Sequence, residues 1–340
     1  MKILIANDGL HAHYYERMAW VNAFSSSGIE CRMYDCKTNP AFPVFDSYEP
    51  DIFIGQLYNL DRATIKCIQA RPHMKVALRA GEFGEMSHIN RNILATTSGE
   101  LVSLHQLQES TGKPDFIYTH YLQHDINYTH SEFSSKFGIK LVGIPMSADL
   151  KTYYKGTPNK TLECDLAFVG GYWPYKAHIL DFFLLPLLSD FKYSAKIFGN
   201  QAWPCNQYCG MIDEPLVRHL FASAKICPNL SEPHAQYLGV DLNERAFKIL
   251  AAGGFCIMDN VRAAREVFGD GVVFADSASD FKELVDYYLT RPDERAKIAA
   301  RGHDIVMAGH TNYHRAALFL DSFNEPQAAQ KVMNAYSKSF

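Results

Sequence analysis

Arg245 and Lys248, two cations close to the start of a predicted helix, are the residues in this sequence whose types and spacing first indicate chemistry. The apolar residues of segment 241–255 recur at helical spacing and define one face, which leaves both cations on another face. Positive side chains at a helix N-terminus oppose the helix dipole unless an anion is bound there. The pattern therefore predicts an anion site, and a diphosphate is an anion that two cations fit.

A glycine pair earlier in the chain supports this interpretation. Gly170 and Gly171 follow the apolar run 165–169, where a predicted strand precedes a helix, and Tyr172 and Lys176 come next. Glycines let the backbone approach an anion, the helix N-terminus favours negative charge, and Lys176 can neutralise a phosphate. A tight turn would also explain two glycines, but it does not explain the aromatic and basic residues beside them.

Short apolar runs alternate with helical patterns along most of the chain, and this alternation predicts the elements that position these residues. Six predicted strands in the first half cover 2–6, 29–34, 51–54, 75–78, 116–119 and 141–144. A second series covers 165–169, 195–198, 225–227, 255–258 and 272–274, and the chain is helical after 277. Such βα repetition predicts two parallel sheets of the Rossmann type.

We therefore expect an α/β protein with a first domain over residues 1–150 and a second over 151–311, with helices at 312–340 packing back on the first domain. Open parallel sheets bind ligands beyond the carboxyl ends of their strands, so two such domains facing each other create a cleft. Asp8, His11 and His13 follow the first predicted strand and should point into this cleft.

Composition excludes several classes of protein. The chain of 340 residues is 47% hydrophobic and 21% charged, with a formal net charge of −4, so no global positive field favours non-specific binding of nucleic acid. No apolar stretch is long enough for a membrane span, and the N-terminal apolar run is too short for a signal peptide. Eight cysteines without a CxxC pair indicate reduced thiols, which predicts a cytoplasmic protein.

A family resemblance becomes specific at residues 243–255. This segment resembles the donor-site helix of the CgeB-like glycosyltransferases, which are relatives of the group 1 retaining families. The resemblance lies in Asn-x-Arg-x-Phe, in the two apolar residues that come later, and in the Ala-Ala-Gly-Gly that ends the segment before a strand. The resemblance covers about 165–320 and includes His310-Thr311-Asn312-Tyr313-x-Arg315. The layout also resembles bacteriophage DNA β-glucosyltransferase, through the glycine pair, Phe198-Gly199-Asn200 and the arginine helix.

The resemblance implies a GT-B fold with an acceptor domain followed by a donor domain, and transfer of a sugar from a nucleotide-sugar, first of all a UDP-sugar. It implies that Arg245 contacts the donor diphosphate, together with Lys176. Both families usually have a ribose-binding glutamate where this chain has Lys248. Either Glu244 or Asp241 replaces it, or Lys248 faces the diphosphate, or the donor is unusual.

The remaining site residues also follow from this comparison. Asn243 belongs to the donor motif, and by analogy of fold the nucleotide base meets the backbone at Met211 and Ile212. If the reaction inverts, the acceptor hydroxyl needs a carboxylate base, and the phage enzyme has an aspartate after the strand that corresponds to 75–78. Glu82 is therefore the first candidate and Glu85 the second.

Asp8 is a further catalytic candidate, and His11 and His13 are expected to contact the acceptor. His11 and His13 also form a His-x-His pair, but a metal site needs a third ligand, and the chain has no DxD motif. We therefore expect an enzyme that uses neither a metal nor a cofactor and holds the phosphates with loops and cations.

Three alternatives remain open at this point. The acceptor could be a hydroxylated base in DNA rather than a glycan or a small molecule, and a modest basic stretch supplies Arg62, Lys66, Arg71, Lys75 and Arg79. A nucleotide-sugar epimerase would have the same two-domain architecture and donor cleft. A non-catalytic nucleotide-sugar-binding protein is the third alternative, because Lys248 replaces the expected glutamate.

Overall fold

The computed structural model describes residues 1–7, 12–57, 60–81, 104–189 and 192–339. The chain divides into two compact units. The first unit comprises Met1–Pro145 together with Asn312–Phe340, and the second comprises Met146–Thr311.

The strands of the first unit are β1 (Lys2–Asn7), β2 (Glu30–Asp35), β3 (Ile52–Gln56), β4 (Lys75–Arg79), β5 (Phe116–Thr119) and β6 (Lys140–Gly143). Among the described residues they form one six-stranded sheet in the order β2-β1-β3-β4-β5-β6. Every neighbouring pair is parallel. Every residue of β3 and β5 is buried, and such continuously buried strands are typical of a sheet covered on both faces.

The helices between these strands are α1 (Ala12–Ser26), α2 (Ala41–Tyr48), α3 (Arg62–Gln69), α4 (104–111), α5 (Gln123–Thr129) and α6 (Ser131–Phe137). Helix α1 ends where Gly28 adopts a φ of +69°, which matches the predicted stop at this glycine. Helix α3 begins at a side-chain cap, because Asp61 accepts a hydrogen bond from the backbone of Thr64 at 2.7 Å.

The second unit repeats the architecture with strands β7 (Cys164–Val169), β8 (Ala195–Phe198), β9 (Ala224–Asn229), β10 (Cys256–Asp259) and β11 (Val273–Ala275). The sheet order is β11-β10-β9-β7-β8, and each neighbouring pair is parallel. Each predicted strand of both series is present, with ends displaced by at most two residues. The predicted α/β fold class with two parallel sheets is confirmed.

The helices of the second unit are α7 (Pro174–Phe183), α8 (Leu185–Ser189), α9 (Glu214–Ser223), α10 (Pro233–Leu238), α11 (Glu244–Ala251), α12 (Arg262–Phe268), α13 (Ala278–Leu289) and α14 (Pro292–Gly309). The chain then returns to the first unit with α15 (Asn312–Ser322) and α16 (Pro326–Lys338). Among the described residues, none of the helices combines the length and the apolar character needed to cross a membrane.

Helix α15 packs on α1 inside the first unit. The rings of Trp20 and Phe319 meet edge to face with centroids 4.8 Å apart, and both side chains are buried. The side chain of Asn312 donates a hydrogen bond to the carbonyl of Ala19 at 2.9 Å. The last two helices therefore complete the core of the first unit.

Helix α11 is positioned by its apolar face and by the glycines that follow it. Phe247, Ile249 and Leu250 are fully buried, as their spacing predicts. Gly253 has a φ of +79°, a conformation that L side chains rarely adopt, and its N–H bonds to the carbonyl of Leu250. This glycine stop ends α11 and directs the chain into β10.

Candidate functional site

Arg245 lies in the first turn of α11 and is anchored by the carboxyl ends of two neighbouring strands. Its Nε donates to the carbonyl of Val169 at 2.8 Å, and its Nη1 donates to Oδ1 of Asn229 at 3.2 Å. The guanidinium carbon lies 4.2 Å from the centroid of the Phe168 ring. These contacts hold the guanidinium in one orientation at the edge of the sheet where α/β proteins bind ligands.

The two glycines after β7 leave space for side chains of the site. A Cβ on Gly170 would lie 2.9 Å from Nη2 of Arg245. A Cβ on Gly171 would lie 2.6 Å from both Oδ1 of Asn200 and Nε1 of Trp173. Neither glycine has a positive φ, so close approach rather than backbone conformation accounts for both.

The Phe198-Gly199-Asn200 motif meets this loop from the neighbouring strand. The N–H of Gly170 donates to the carbonyl of Phe198 at 2.8 Å, and Nε1 of Trp203 donates to the carbonyl of Gly170 at 2.8 Å. A Cβ on Gly199 would lie 2.3 Å from the same carbonyl oxygen. The three glycines thus bring two loops and the arginine together at one end of the sheet.

The charge of Arg245 is kept in this setting. Burial lowers the pKa of Arg245 to about 10, and the nearby carboxylates of Glu232 and Asp259 act in the opposite direction. The guanidinium is therefore protonated at neutral pH. A partly buried cation with Nη2 beside a glycine turn is a suitable partner for a phosphate group.

Lys248 has a different set of partners. Its Nζ lies 2.9 Å from Oε2 of Glu244 and 4.7 Å from the centroid of the Tyr153 ring. Tyr153 in turn donates a long hydrogen bond of 3.4 Å to Glu214. Burial lowers the pKa of Lys248, but Glu244, Tyr153 and Glu214 together outweigh burial and hold the pKa above its ordinary value. The ammonium group is therefore ion-paired with Glu244 and stacked on Tyr153.

The other predicted donor residues are scattered around the same end of the second unit. Tyr172 donates from its hydroxyl to Asp181 at 2.5 Å, and Asn243 donates from its side chain to the carbonyl of Leu230 at 3.3 Å. In the loop before α9, the side chain of Met211 is 75% exposed, an unusual position for a large apolar group. The predicted contacts of Met211 and Ile212 with a nucleotide base stay predictions.

Several candidates lie outside the described residues. These are Asp8, His11, Glu82 and Glu85, and the side chain of Lys176, although the backbone of Lys176 belongs to α7. Their assignment to catalysis, to the acceptor or to the diphosphate stays a prediction from the sequence.

His13 lies within the described part of α1 and meets two residues that sequence reasoning did not connect with it. Its Nδ1 is 3.6 Å from Oε2 of Glu16, and its ring stacks on that of His120 with centroids 5.4 Å apart. Nδ1 of His120 is 2.9 Å from Oε1 of Glu16. The i, i+3 spacing of His13 and Glu16 was a signal for this cluster, but nothing in the sequence placed His120 beside them.

The basic stretch considered for DNA is not a continuous cationic surface. Arg71 pairs with Asp46 at 2.6 Å, and Lys75 pairs with Glu325 at 2.5 Å. Arg79 is only 3% exposed. Three of the five cations are therefore ion-paired or buried, which weakens this stretch as a surface for DNA phosphates.

Comparison with known proteins agrees with this geometry. Residues 181–321 match the family model described as glycosyl transferase-like. Comparison with curated protein sequences gives no match.

Solved structures with the same fold cover nearly all of the chain. Sucrose-phosphate synthase from Thermosynechococcus elongatus is 11% identical with a TM-score of 0.66, over 97% of this chain and 100% of that one. An alpha-glucosyltransferase in complex with UDP is 11% identical with a TM-score of 0.65, over 96% and 99%. The glycosyltransferase SnogD from Streptomyces nogalater is 13% identical with a TM-score of 0.54, over 98% and 99%.

These similarities support the broader of the two family relationships expected from the sequence. The narrower CgeB-like relationship stays a prediction. Residues 181–321 are similar to the glycosyl transferase-like family, and the whole chain has the GT-B fold of these solved structures.

Proposed function

We propose that the protein transfers a sugar from a UDP-sugar to an acceptor hydroxyl and that Arg245 binds the donor diphosphate. The observation that carries this proposal is the anchoring of Arg245, whose Nε donates to Val169 at 2.8 Å while Nη2 lies beside Gly170. An arginine held by backbone carbonyls on one side keeps its other donors oriented toward a ligand before the ligand arrives.

The chemistry of sugar transfer fits such a site. When the bond between the anomeric carbon and the phosphate oxygen breaks, negative charge grows on the departing diphosphate, and a fixed cation stabilises that charge. The absence of side chains at Gly170 and Gly171 lets Arg245 and Asn200 approach this turn closely. Lys176 would add a second cation at the start of α7, so we propose that the diphosphate is held without a divalent ion or a cofactor.

UDP is our choice of nucleotide because the alpha-glucosyltransferase with this fold is described in complex with UDP. The first unit would hold the acceptor, with His11 and His13 as contacts. Glu82, Glu85 and Asp8 are the proposed carboxylate bases, since they follow strands whose carboxyl ends lie at one edge of the sheet. The described cysteines are free thiols, which suits the proposed cytoplasmic location.

The proposal is tested by binding of UDP and UDP-glucose to the full chain, measured by calorimetry and by thermal shift. Arg245→Ala should lose binding, and Arg245→Lys should recover part of it because the charge returns without the hydrogen bonds to Val169 and Asn229 that orient the guanidinium. Neither Mg²⁺ nor Mn²⁺ should change the affinity of the wild type.

Arg218→Ala is the matched control. Arg218 belongs to the same unit, lies 4.2 Å from the centroid of the Tyr154 ring and donates to the carbonyl of Thr152 at 3.3 Å. Its removal should leave UDP binding unchanged. Wild-type affinity in Arg245→Ala, or equal losses in both variants, would contradict the role of Arg245.

The alternatives are separated by their products. An epimerase would convert UDP-N-acetylglucosamine in the absence of any acceptor, and a non-catalytic binder would bind UDP without turning over any sugar donor. One fold neighbour is an alpha-glucosyltransferase in complex with UDP and DNA containing a HMU base, but the neutralised basic stretch favours an acceptor other than DNA. Retention of duplex DNA in a gel shift at low salt would reverse that preference.

A further inference from the structure

We infer that His13, Glu16 and His120 form a binding site for a divalent transition-metal ion, which we test as Zn²⁺. One ring nitrogen from each histidine and one carboxylate oxygen lie within 4.8 Å of one another. The site belongs to the first unit, whereas Arg245 belongs to the second. Its residues are not those proposed to bind the diphosphate.

The three side chains come from regular elements. His13 and Glu16 are one turn apart on α1, so they project from the same face of the helix. His120 follows β5 directly, at the carboxyl end of a fully buried strand. Ligands on a helix and at a strand end are held more rigidly than ligands on loops.

Glu16 is the strongest evidence for a ligand. It is 3% exposed, and its one short contact in the described chain, 2.9 Å from Oε1 to Nδ1 of His120, is with an imidazole rather than with a backbone or amide donor. Its ionic contacts in the described chain are the two imidazoles. A buried carboxylate in this situation is costly unless a cation compensates it.

Asp259 shows how this chain normally treats a buried carboxylate. It is 1% exposed, but one oxygen accepts from the backbone of Ser231 at 2.8 Å and the other accepts from Gln236 at 3.0 Å. Glu16 is buried almost as deeply, but its contacts in the described chain are the imidazoles of His13 and His120, which are themselves metal-binding groups. The contrast indicates that Glu16 is arranged for a partner of another kind.

His120 has the bonding pattern of a metal ligand. Its Nδ1 donates to the carbonyl of Ile144 at 3.2 Å, and its buried Nε2 has no hydrogen-bond partner in the described chain. Metal-bound histidines typically donate one ring N–H to a carbonyl or carboxylate, which sets the ring orientation.

The distances suit a small ion after minor side-chain rotation. Ligand atoms about 2.0–2.2 Å from zinc lie roughly 3.3–3.5 Å apart in a tetrahedral site. The observed distance between Nδ1 of His13 and Oε2 of Glu16 is 3.6 Å, and all three ligand atoms lie within 4.8 Å of one another, so the ligands would have to approach each other slightly to bind the ion. Two imidazoles and one carboxylate favour zinc over the oxygen-preferring Mg²⁺ and Ca²⁺. A water or a hydroxyl group would complete the coordination.

Neighbouring charges set the expected strength of binding. Arg315 and Arg79 are close enough to influence the pKa values of this cluster, but no arginine or lysine nitrogen in the described chain lies within 4 Å of the Glu16 carboxylate. Their positive charge repels a metal ion. We therefore expect weaker binding than at structural zinc sites built from thiolates.

The test is titration of the metal-stripped full chain with Zn²⁺ by calorimetry, without donor or acceptor. The wild type should bind one ion at this site and should not respond to Mg²⁺. Glu16→Gln and His13→Ala should each weaken binding by more than about 100-fold, since even the loss of an outer partner of a ligand costs about 10–100-fold. The control is His303→Ala, because the ring of His303 also contacts backbone carbonyls, those of Leu250 and Ala251.

X-ray absorption of the zinc-loaded protein identifies the ligands directly. It should show nitrogen and oxygen ligands with imidazole scattering and no sulfur, which separates this site from the eight cysteines of the chain. Circular dichroism and unfolding curves of His13→Ala verify its fold, since this side chain is more exposed than the other two.

Absence of zinc binding in the wild type, a sulfur shell, or unchanged affinity in both variants would overturn the inference. UDP binding is measured separately, so such a failure would leave the proposed glycosyl transfer untouched.

Discussion

The guanidinium of Arg245 occupies space that exists because residue 170 has no side chain: a Cβ on Gly170 would come within 2.9 Å of Nη2. The two residues are brought together by the hydrogen bond from Arg245 to the carbonyl of Val169 at 2.8 Å. At this end of the sheet, a glycine turn that suits an anion therefore lies next to a cation whose orientation is already fixed.

Gly170→Ala should displace the guanidinium and weaken UDP binding. Overpacking of this kind costs about 1–3 kcal/mol. A Cβ there would also lie 2.9 Å from Cε1 of the buried Phe168 ring, so part of this cost should appear as reduced folding stability and part as weaker UDP binding. Calorimetry with UDP measures the effect. Gly309→Ala is the control, since a Cβ there meets nothing within 4 Å. Equal affinity in both variants would show that Nη2 of Arg245 is not used.

Asn200→Asp should weaken UDP binding more than Asn200→Ala does. Oδ1 of Asn200 lies 2.6 Å from the position of a Cβ on Gly171, so an aspartate would place negative charge next to the proposed phosphates. The difference between the two variants should shrink as salt increases, because screening reduces the repulsion. A salt-independent difference would point to a steric cause.

Lys248→Met should destabilise the fold by about 1–3 kcal/mol, between the values for exposed and buried ion pairs, because it leaves Glu244 without its cation. Both side chains of this pair are 14% exposed. Urea unfolding measures the loss. Arg262→Met removes one partner of a pair whose side chains are 49% and 50% exposed, and it should change stability by less than about 0.5 kcal/mol.

The same pair has a defined pH dependence. The pKa of Lys248 is raised in the folded protein above its ordinary value of 10.5, so its contribution to stability is complete below pH 10.5 and is lost as pH rises through the higher folded value. The stability difference between wild type and Lys248→Met should therefore be constant at neutral pH and fall only in strong alkali. If the stability difference between the two proteins already decreases between pH 6 and 9, then the titration of a group other than Lys248 causes it.

Phe319→Ala should cost about 3–5 kcal/mol of folding free energy, since it removes a fully buried ring from the contact between α15 and α1. Thermal unfolding should show the loss in the transition of the first unit. Phe182→Ala is the comparison, because that side chain is 59% exposed and its removal should leave stability nearly unchanged. Similar effects of the two substitutions would mean that α15 does not complete this core.

The sequence alone determined the strands, their parallel arrangement and the buried face of α11. These features depend on local pattern, because continuous apolar runs separated by helices have few other ways to bury themselves. The stop at Gly253 was also local, since a φ of +79° is available to glycine at little cost.

Only the tertiary structure decided which residues meet. Gly170 and Gly171 could have been a simple turn until Arg245 and Asn200 were placed against them. Lys75 counted as part of a basic stretch until Glu325, near the other end of the chain, was found 2.5 Å away. Glu16 and His120 share a site only because α1 packs over the end of β5. Such contacts join residues far apart in the chain, and no local periodicity encodes them.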